Sequence, residues 1–191
     1  MLAGGRGVRI GGGKPAAMLG GRPLISYPIA ALAAVLPRVA VIAKAGTPLP
    51  DLSGTGPAGG RVEIWREPEL PVHPLLGIAE ALDRAGGRPV LSCPVDMPFV
   101  TPELVAEIAR ALASDVDAVL VAGAGRLQPL LGCYRPGTAA ALRRAAHGSV
   151  AASKAAKLLS PTVIEVDDPW TLFNINTADD LRRAQERISQ T

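Results

Sequence analysis

Glycine and basic residues are concentrated at the start of this 191-residue chain. Residues 2–14 contain six glycines together with Arg6, Arg9 and Lys14. Glycine lets the backbone approach a ligand closely, and consecutive amides in such a loop form a nest for anionic oxygens. The composition predicts a loop that binds the triphosphate of a nucleotide. A flexible surface loop with incidental basic residues is the alternative interpretation.

Two common phosphate-binding motifs do not fit this loop. The Walker A motif needs glycine five residues before its Gly-Lys pair and serine or threonine after it. Those positions hold Val8 and Pro15. The dinucleotide-binding fingerprint needs a third glycine at a position that holds Ile10. Both motifs are therefore excluded.

A single carboxylate, Asp96, follows an apolar stretch and precedes a predicted helix that opens at Thr101-Pro102. Ligands of parallel α/β sheets bind at the carboxyl ends of the strands. A carboxylate there suits Mg²⁺, which takes one or two carboxylates plus phosphate oxygens and waters. Alternatively, Asp96 caps a turn through the backbone. The residues alone leave both interpretations open.

Two asparagines, Asn174 and Asn176, are separated by one residue just before the last predicted helix. In an extended segment their side chains point the same way, and each can donate and accept hydrogen bonds. This arrangement predicts contacts with an acceptor substrate or with metal-bound water. The alternative is that both only stabilise the turn before the helix.

Short β-branched runs alternate with helical stretches along the chain, which predicts an α/β sandwich with a mostly parallel sheet. Helix start signals stand at Thr101 and at Thr177–Asp180, and the Gly/Pro-rich segment 44–61 is predicted to be a mobile loop. The predicted strands are 39–43, 62–65, 89–93, 118–122, 130–134 and 163–166, and the predicted helices are 23–35, 74–85, 102–113, 137–146, 150–159 and 178–188.

The first residues leave no room for a full strand before the glycine loop, although a sheet of this kind needs a central strand there. We therefore expect the true N-terminus to lie upstream of Met1 or to have been trimmed.

Composition indicates one folded domain spanning residues 1–191, with 48% hydrophobic and 19% charged residues. Aromatic residues at 3% are too few for a surface that stacks single-stranded nucleic acid. The net charge of +3 suits a small phosphorylated ligand. With no signal peptide and no apolar run long enough for a membrane span, we expect a soluble cytoplasmic protein. Cys93 and Cys133 are predicted to be buried, unreactive thiols.

Three motifs resemble the signature of nucleotidyltransferases of the molybdenum cofactor guanylyltransferase family. They are Leu-Ala-Gly-Gly-x-x-x-x-Arg-x-Gly-x-x-Lys with Gly-Arg-Pro-Leu at 21–24, Cys-Pro-x-Asp-x-Pro-Phe around Asp96, and Asn-Ile-Asn-Thr at 174–177. The resemblance runs from Leu2 to Leu181. It implies a Rossmann-like three-layer sandwich of the nucleotide-diphospho-sugar transferase type, GTP and Mg²⁺ as ligands, and molybdopterin or another phosphorylated small molecule as acceptor.

The resemblance also implies roles for particular residues. Arg9, Lys14 and Asp96 would be catalytic, with Asp96 binding Mg²⁺. Nucleotide contacts are implied for Leu2, Ala3, Gly4, Gly5, Lys14, Glu67 and Asp96, and acceptor contacts for Gln128, Asn174 and Asn176.

Some positions depart from the family pattern. Gly13 and Glu67 stand where aspartate is usual, and His73, predicted to be an exposed side chain, stands where glycine is usual. No residue is assigned at positions 43–44, where the family has asparagine. The alternatives are a relative that uses CTP or a sugar phosphate, and a non-catalytic nucleotide-binding homologue.

Overall fold

A computed structural model describes residues 1–3, 13–67, 69, 73–113 and 115–190. Within these ranges strands and helices alternate as predicted. The strands are β1 (Met18–Leu19), β2 (Arg22–Pro23), β3 (Ala40–Lys44), β4 (Glu63–Glu67), β5 (Val90–Ser92), β6 (Ala118–Gly123), β7 (Arg126–Tyr134) and β8 (Thr162–Glu165). The helices are α1 (Ser26–Ala33), α2 (Pro74–Arg84), α3 (Pro102–Ala111), α4 (Ala139–His147), α5 (Ala152–Lys157) and α6 (Ala178–Ser189).

The N-terminal segment, residues 1–3, lies at the centre of the sheet. Leu2 forms parallel bridges to Ile42 of β3 and to Pro94 after β5. The Leu2 amide donates to the Cys93 carbonyl over 2.9 Å, and the Ala3 amide donates to the Ile42 carbonyl over 2.8 Å. The sequence has no room for a full central strand, and these three residues occupy that position instead. An N-terminus upstream of Met1 stays a prediction.

This segment joins two groups of strands into one sheet. On one side β3 pairs with β4 in parallel. On the other side the order is β5–β7–β6–β8, with β6 parallel to β8 and β7 antiparallel to both of its neighbours. The sheet is therefore mixed: β3–β4, β6–β8 and the two bridges of Leu2 are parallel, and both pairings of β7 are antiparallel.

Helices cover both faces of the sheet. Strand β6 shows this directly, because Val119 and Val121 belong to one hydrophobic core while Ala118 and Leu120 belong to another. Successive side chains of a strand point to opposite faces. The first core contains residues of α1 and α3, and the second contains residues of α2, α4 and α5. The predicted three-layer arrangement is confirmed.

Two tight turns correct the predicted boundaries. Gly20 and Gly21, with φ of 55° and 75°, connect β1 to β2, so α1 begins at Ser26 rather than at Pro23. Ala124 and Gly125, with φ of 48° and 71°, connect β6 directly to β7, which begins well before residue 130. Two successive residues with positive φ form the turn that suits a two-residue β-hairpin.

Both cysteines are buried, as predicted. Burial raises the pKa of the Cys93 thiol to about 12 and that of Cys133 to about 11. Neither thiol is therefore ionised near neutral pH. In the described part of the chain, no helix is long and apolar enough to cross a membrane.

An apolar cavity of about 390 Å³ lies beside Met1, between the first residues of β3 and those of β5. Met1 lines it, and the Met1 amino group donates to the Ala40 carbonyl over 2.7 Å. Burial lowers the pKa of this amino group to about 6. The cavity is at the amino ends of the strands, away from the edge where a ligand of such a sheet binds.

Gly132 allows close contact between β6 and β7. It pairs with Leu120 where the register of the two strands shifts, and an added Cβ would lie 2.4 Å from the Val119 carbonyl oxygen. Because a backbone atom would have to move, we expect Gly132→Ala to lower the free energy of unfolding by about 1–3 kcal/mol in urea denaturation. Gly137→Ala is the control, since its added Cβ meets no described atom within 4 Å. Equal losses in the two variants would contradict the close-contact explanation.

Candidate active site

Four charged side chains border a cavity of about 180 Å³ at the carboxyl ends of the central strands. Lys44 and Glu67 are the last residues of β3 and β4, Asp96 follows β5, and Lys14 comes from the segment before β1. The remaining lining residues are Leu2, Ile42, His73, Pro74, Gly77, Pro94, Val95 and Leu130.

Lys14 connects two segments that are far apart in sequence. Its Nζ donates to Asp96 Oδ2 over 2.9 Å and to Asn176 Oδ1 over 3.0 Å. The lysine and aspartate side chains are only 11% and 19% exposed. Lys14 opens a short 3-10 turn whose second residue is Pro15, and the proline ring fixes φ there. The predicted Lys14 and Asp96 therefore lie together in a poorly hydrated place.

Asp96 is held by its backbone as well as by Lys14. The Val95 amide donates to the Leu2 carbonyl, and the Ile175 amide donates to the Asp96 carbonyl over 2.9 Å. Its second carboxylate oxygen, Oδ1, is buried and has no hydrogen-bond partner among the described residues. Burying an unpaired carboxylate oxygen is unfavourable, and a cation would satisfy it. The residue therefore fits a hard metal ion, although the described residues contain no cluster of three or more acidic, histidine or cysteine ligands.

A second ion pair lies on the same cavity. Lys44 Nζ is 3.2 Å from Glu67 Oε1, and the two side chains are 11% and 13% exposed. The two residues are directly paired in the parallel ladder of β3 and β4. Arg66 donates to the carbonyls of Lys44 and Thr47 and so fixes the backbone beside the pair. The mobility of segment 44–61 stays a prediction.

Lys44 is the site residue that sequence reasoning missed. No family residue could be assigned at positions 43–44, and a single lysine after an apolar run is common on surfaces. The available signal was its position, because a lysine that ends a buried strand lies at the ligand-binding edge of the sheet.

The prediction that His73 is exposed was wrong. The side chain is half-buried, its Nδ1 accepts from the Leu75 amide at the start of α2, and its Nε2 lies 3.1 Å from the Val150 carbonyl. Donation to that carbonyl leaves Nδ1 as the acceptor, so one tautomer satisfies both contacts. Both nitrogens are thus used in packing.

The structure brings some of the other predicted residues to the site and not others. Leu2 lines the cavity, and Ala3 is buried next to it in the central segment. Gln128 of β7 pairs with Val121 of β6 and is not among the lining residues, and Asn174 Nδ2 donates to the Leu172 carbonyl. Gly4, Gly5 and Arg9 lie outside the described residues.

The start of α6 holds Asn176 in place. Thr177 and Asp180 form the predicted capping box, and the Asn176 amide donates to the Asp180 carboxylate over 3.0 Å. Although partial burial alone would raise the pKa of Asp180, the hydrogen bonds from Asn176 and Thr177 hold it below its usual value. Asn176 is therefore positioned by its backbone while its side chain contacts Lys14.

Comparison with known proteins gives consistent findings. The family model described as "MobA-like NTP transferase domain" matches residues 1–163. The molybdenum cofactor guanylyltransferase of Rhizobium leguminosarum bv. trifolii is 32% identical, over 97% of this chain and 90% of the relative.

Solved structures agree on the fold. Molybdopterin-guanine dinucleotide biosynthesis protein A of Archaeoglobus fulgidus is 26% identical with a TM-score of 0.74, over 100% of this chain and 97% of that one. 2-C-methyl-D-erythritol 4-phosphate cytidylyltransferase of Thermus thermophilus is 21% identical with a TM-score of 0.67, over 95% of each chain. The second likeness concerns the fold alone. Together they confirm the predicted nucleotide-diphospho-sugar transferase type of fold.

The Lys44–Glu67 pair allows a test of how much the burial of charge at the site costs in free energy of unfolding. Lys44→Met alone leaves a poorly exposed carboxylate without this partner, and we expect it to lower the free energy of unfolding by about 3 kcal/mol. The double variant Lys44→Met/Glu67→Leu should regain most of that loss, because neither charge is then buried. Denaturation in urea measures both.

The exposed pair Arg182–Glu186 on α6 is the control for this cycle. Its corresponding single and double variants should change stability little, since exposed ion pairs contribute little. A double variant at positions 44 and 67 that is no more stable than Lys44→Met would contradict the explanation.

Proposed function

Because the chain belongs to the MobA-like NTP transferase family, we propose that it transfers GMP from GTP to molybdopterin and releases pyrophosphate. The names of its relatives support both substrates. The observation that carries the proposal is the contact of Lys14 with Asp96 and Asn176 at the carboxyl edge of the sheet. That contact brings together a cation, a carboxylate and a carboxamide.

The proposed reaction is an in-line displacement at the α-phosphorus of GTP. A phosphate oxygen of the acceptor forms the new bond, and the bond from the α-phosphorus to the bridging oxygen of the β-phosphate breaks. Both reactants are anions, so charge neutralisation and positioning dominate catalysis. The electron pair of the broken bond leaves on pyrophosphate.

Lys14 is the cation that contacts the phosphates. Its ammonium group has three donors, two of which already bond to Asp96 and Asn176. The third is available to a phosphate oxygen without either bond being broken. We also assign Arg9 and the backbone of Gly4 and Gly5 to the triphosphate.

Asp96 is the proposed ligand of Mg²⁺, because its buried Oδ1 lacks a described partner. Phosphate oxygens and waters complete the coordination of Mg²⁺ when a site offers a single carboxylate. When bound, the ion neutralises phosphate charge. We assign Glu67, held beside Lys44, to the nucleotide, and Gln128, Asn174 and Asn176 to the acceptor. The protein would act in the cytoplasm as a single domain.

Replacing Asp96 tests the assignment of the metal ligand. We expect Asp96→Ala to lower kcat by roughly 10²-fold or more, the scale of losing one key electrostatic group. Initial rates of pyrophosphate release from GTP and molybdopterin measure this. Asp115→Ala, which removes an exposed acid before β6, is the matched control and should keep the wild-type rate. A rate for Asp96→Ala within about threefold of wild type would overturn the assignment.

Nucleotide binding tests the choice of base. Thermal unfolding is followed with Mg²⁺ and saturating GTP, CTP, ATP or UTP. A ligand that binds only the folded state at about 100 times its Kd adds roughly 2.7 kcal/mol of stability. We expect a shift with GTP and little with the others. A shift with CTP alone would move the assignment to a cytidylyl transfer, and no shift with any nucleotide would contradict the proposed activity.

A further inference from the structure

Three of the six aromatic residues of this chain form one cluster at its surface. The ring centroids of Phe99 and Trp170 are 5.6 Å apart with perpendicular planes, and those of Trp170 and Phe173 are 4.8 Å apart. All three side chains are half-buried. With aromatic residues at only 3% of the chain, this concentration is unlike the rest of the molecule.

Helix α6 contacts the cluster through two arginines. The guanidinium of Arg183 lies 5.1 Å from the centre of the Phe173 ring, and that of Arg187 lies 5.5 Å from the centre of the Trp170 ring. Attraction between a cation and an aromatic face contributes at such distances. Ala184 is the buried residue of this helix in the described structure, and Leu181 and Ile188 pack against the same hydrophobic cluster, so the arginine contacts add to an apolar attachment. We call Phe99, Trp170, Phe173, Arg183 and Arg187 the aromatic clasp.

The turn that presents Trp170 is fixed by Asp168. Its carboxylate accepts from the amides of Trp170 and Thr171 and from the Thr171 hydroxyl, over 3.1, 3.2 and 2.9 Å. The hydrogen bonds from the Trp170 amide and the Thr171 hydroxyl hold the pKa of Asp168 below its usual value. Trp170 therefore reaches the clasp from a defined turn.

Two members of the clasp belong to the segments that hold the partners of Lys14. Phe99 follows Asp96 by three residues, and Phe173 precedes Asn176 by three. Between them the Ile175 amide donates to the Asp96 carbonyl. The clasp thus joins, from outside the cavity, the two segments that Lys14 joins from inside it.

We infer that the aromatic clasp is a positioning element, which sets the separation of Asp96 and Asn176 and thereby the position of the Lys14 ammonium group. Trp170 contacts both phenylalanines and Arg187. A ligand-stacking role fits the geometry less well, since those contacts already occupy the indole ring. The inference rests on the proposed nucleotidyl transfer, in which Lys14 and Asp96 act together.

The test compares the two tryptophans of the chain. Trp65 of β4 lies under Arg84, at 5.5 Å, in the same kind of pair as Trp170 and Arg187, but it borders the apolar cavity beside Met1. Trp65→Ala is therefore a matched control. Both alanine variants should lower the melting temperature. Trp170→Ala alone should also lower kcat by roughly 10- to 100-fold, because small misplacements of reacting groups have effects of that size.

Two further readouts separate positioning from general loss of structure. The KM for GTP should change less than about threefold in Trp170→Ala, and Trp170→Phe, which keeps an aromatic ring, should restore most of kcat. The Ile175 amide should lose its protection from hydrogen exchange in Trp170→Ala and keep it in Trp65→Ala. Equal losses of kcat in both alanine variants, or an unchanged kcat in Trp170→Ala, would overturn the inference.

Failure of the proposed function has a different signature. The wild-type protein would then show no transfer with any nucleotide. In that case the hydrogen exchange of the Ile175 amide alone would test whether the clasp holds the two segments together. Retained protection of that amide in Trp170→Ala would show that the clasp does not hold the two segments together.

Discussion

The pairing of residues 1–3 between β3 and the chain after β5 is the constraint on which the rest of the structure depends. Without Leu2, the pair β3–β4 and the group β5–β7–β6–β8 would be separate sheets. Their union aligns the carboxyl ends of β3, β4 and β5 at one edge. Lys44, Glu67 and Asp96 meet there for that reason, although each follows a different strand.

The charges at this edge are arranged in pairs. Lys14 lies against Asp96 and Lys44 against Glu67, all with small exposed fractions. Buried pairs contribute little net stability, since desolvation offsets their attraction. In the proposed reaction, the pairs would offer a charged ligand cations that are already oriented and poorly hydrated. The proposed positioning of Asp96 and Asn176 by the aromatic clasp, from outside the cavity, belongs to the same arrangement.

Sequence reasoning was most successful where local chemistry decides the structure. The caps at Thr101 and Thr177 were predicted and are present, because they depend on residues within one turn of helix. The hairpin at Ala124–Gly125 was missed, since alanine rarely takes positive φ and gave no turn signal.

Contacts across long separations were beyond such reasoning. Lys14 and Asp96 each belong to a motif, but nothing in either motif shows that their side chains touch. The backbone of Asn176 is held by the predicted cap at Thr177–Asp180, but nothing in that motif shows that its carboxamide contacts Lys14. Lys44 was missed because no motif covers it, although its position at the end of a predicted strand indicated the ligand-binding edge; its pairing with Glu67 becomes visible only in the ladder with β4.

The burial of both cysteines has a practical consequence for spectroscopy. Since Cys93 and Cys133 are covered by the core and their thiols stay protonated near neutral pH, neither should react readily with maleimides. A single cysteine introduced at an exposed position would then be the one reactive thiol. Two introduced cysteines, one on α6 and one on an exposed position of β4, could carry spin labels and report distances across the site while both native cysteines stay in place.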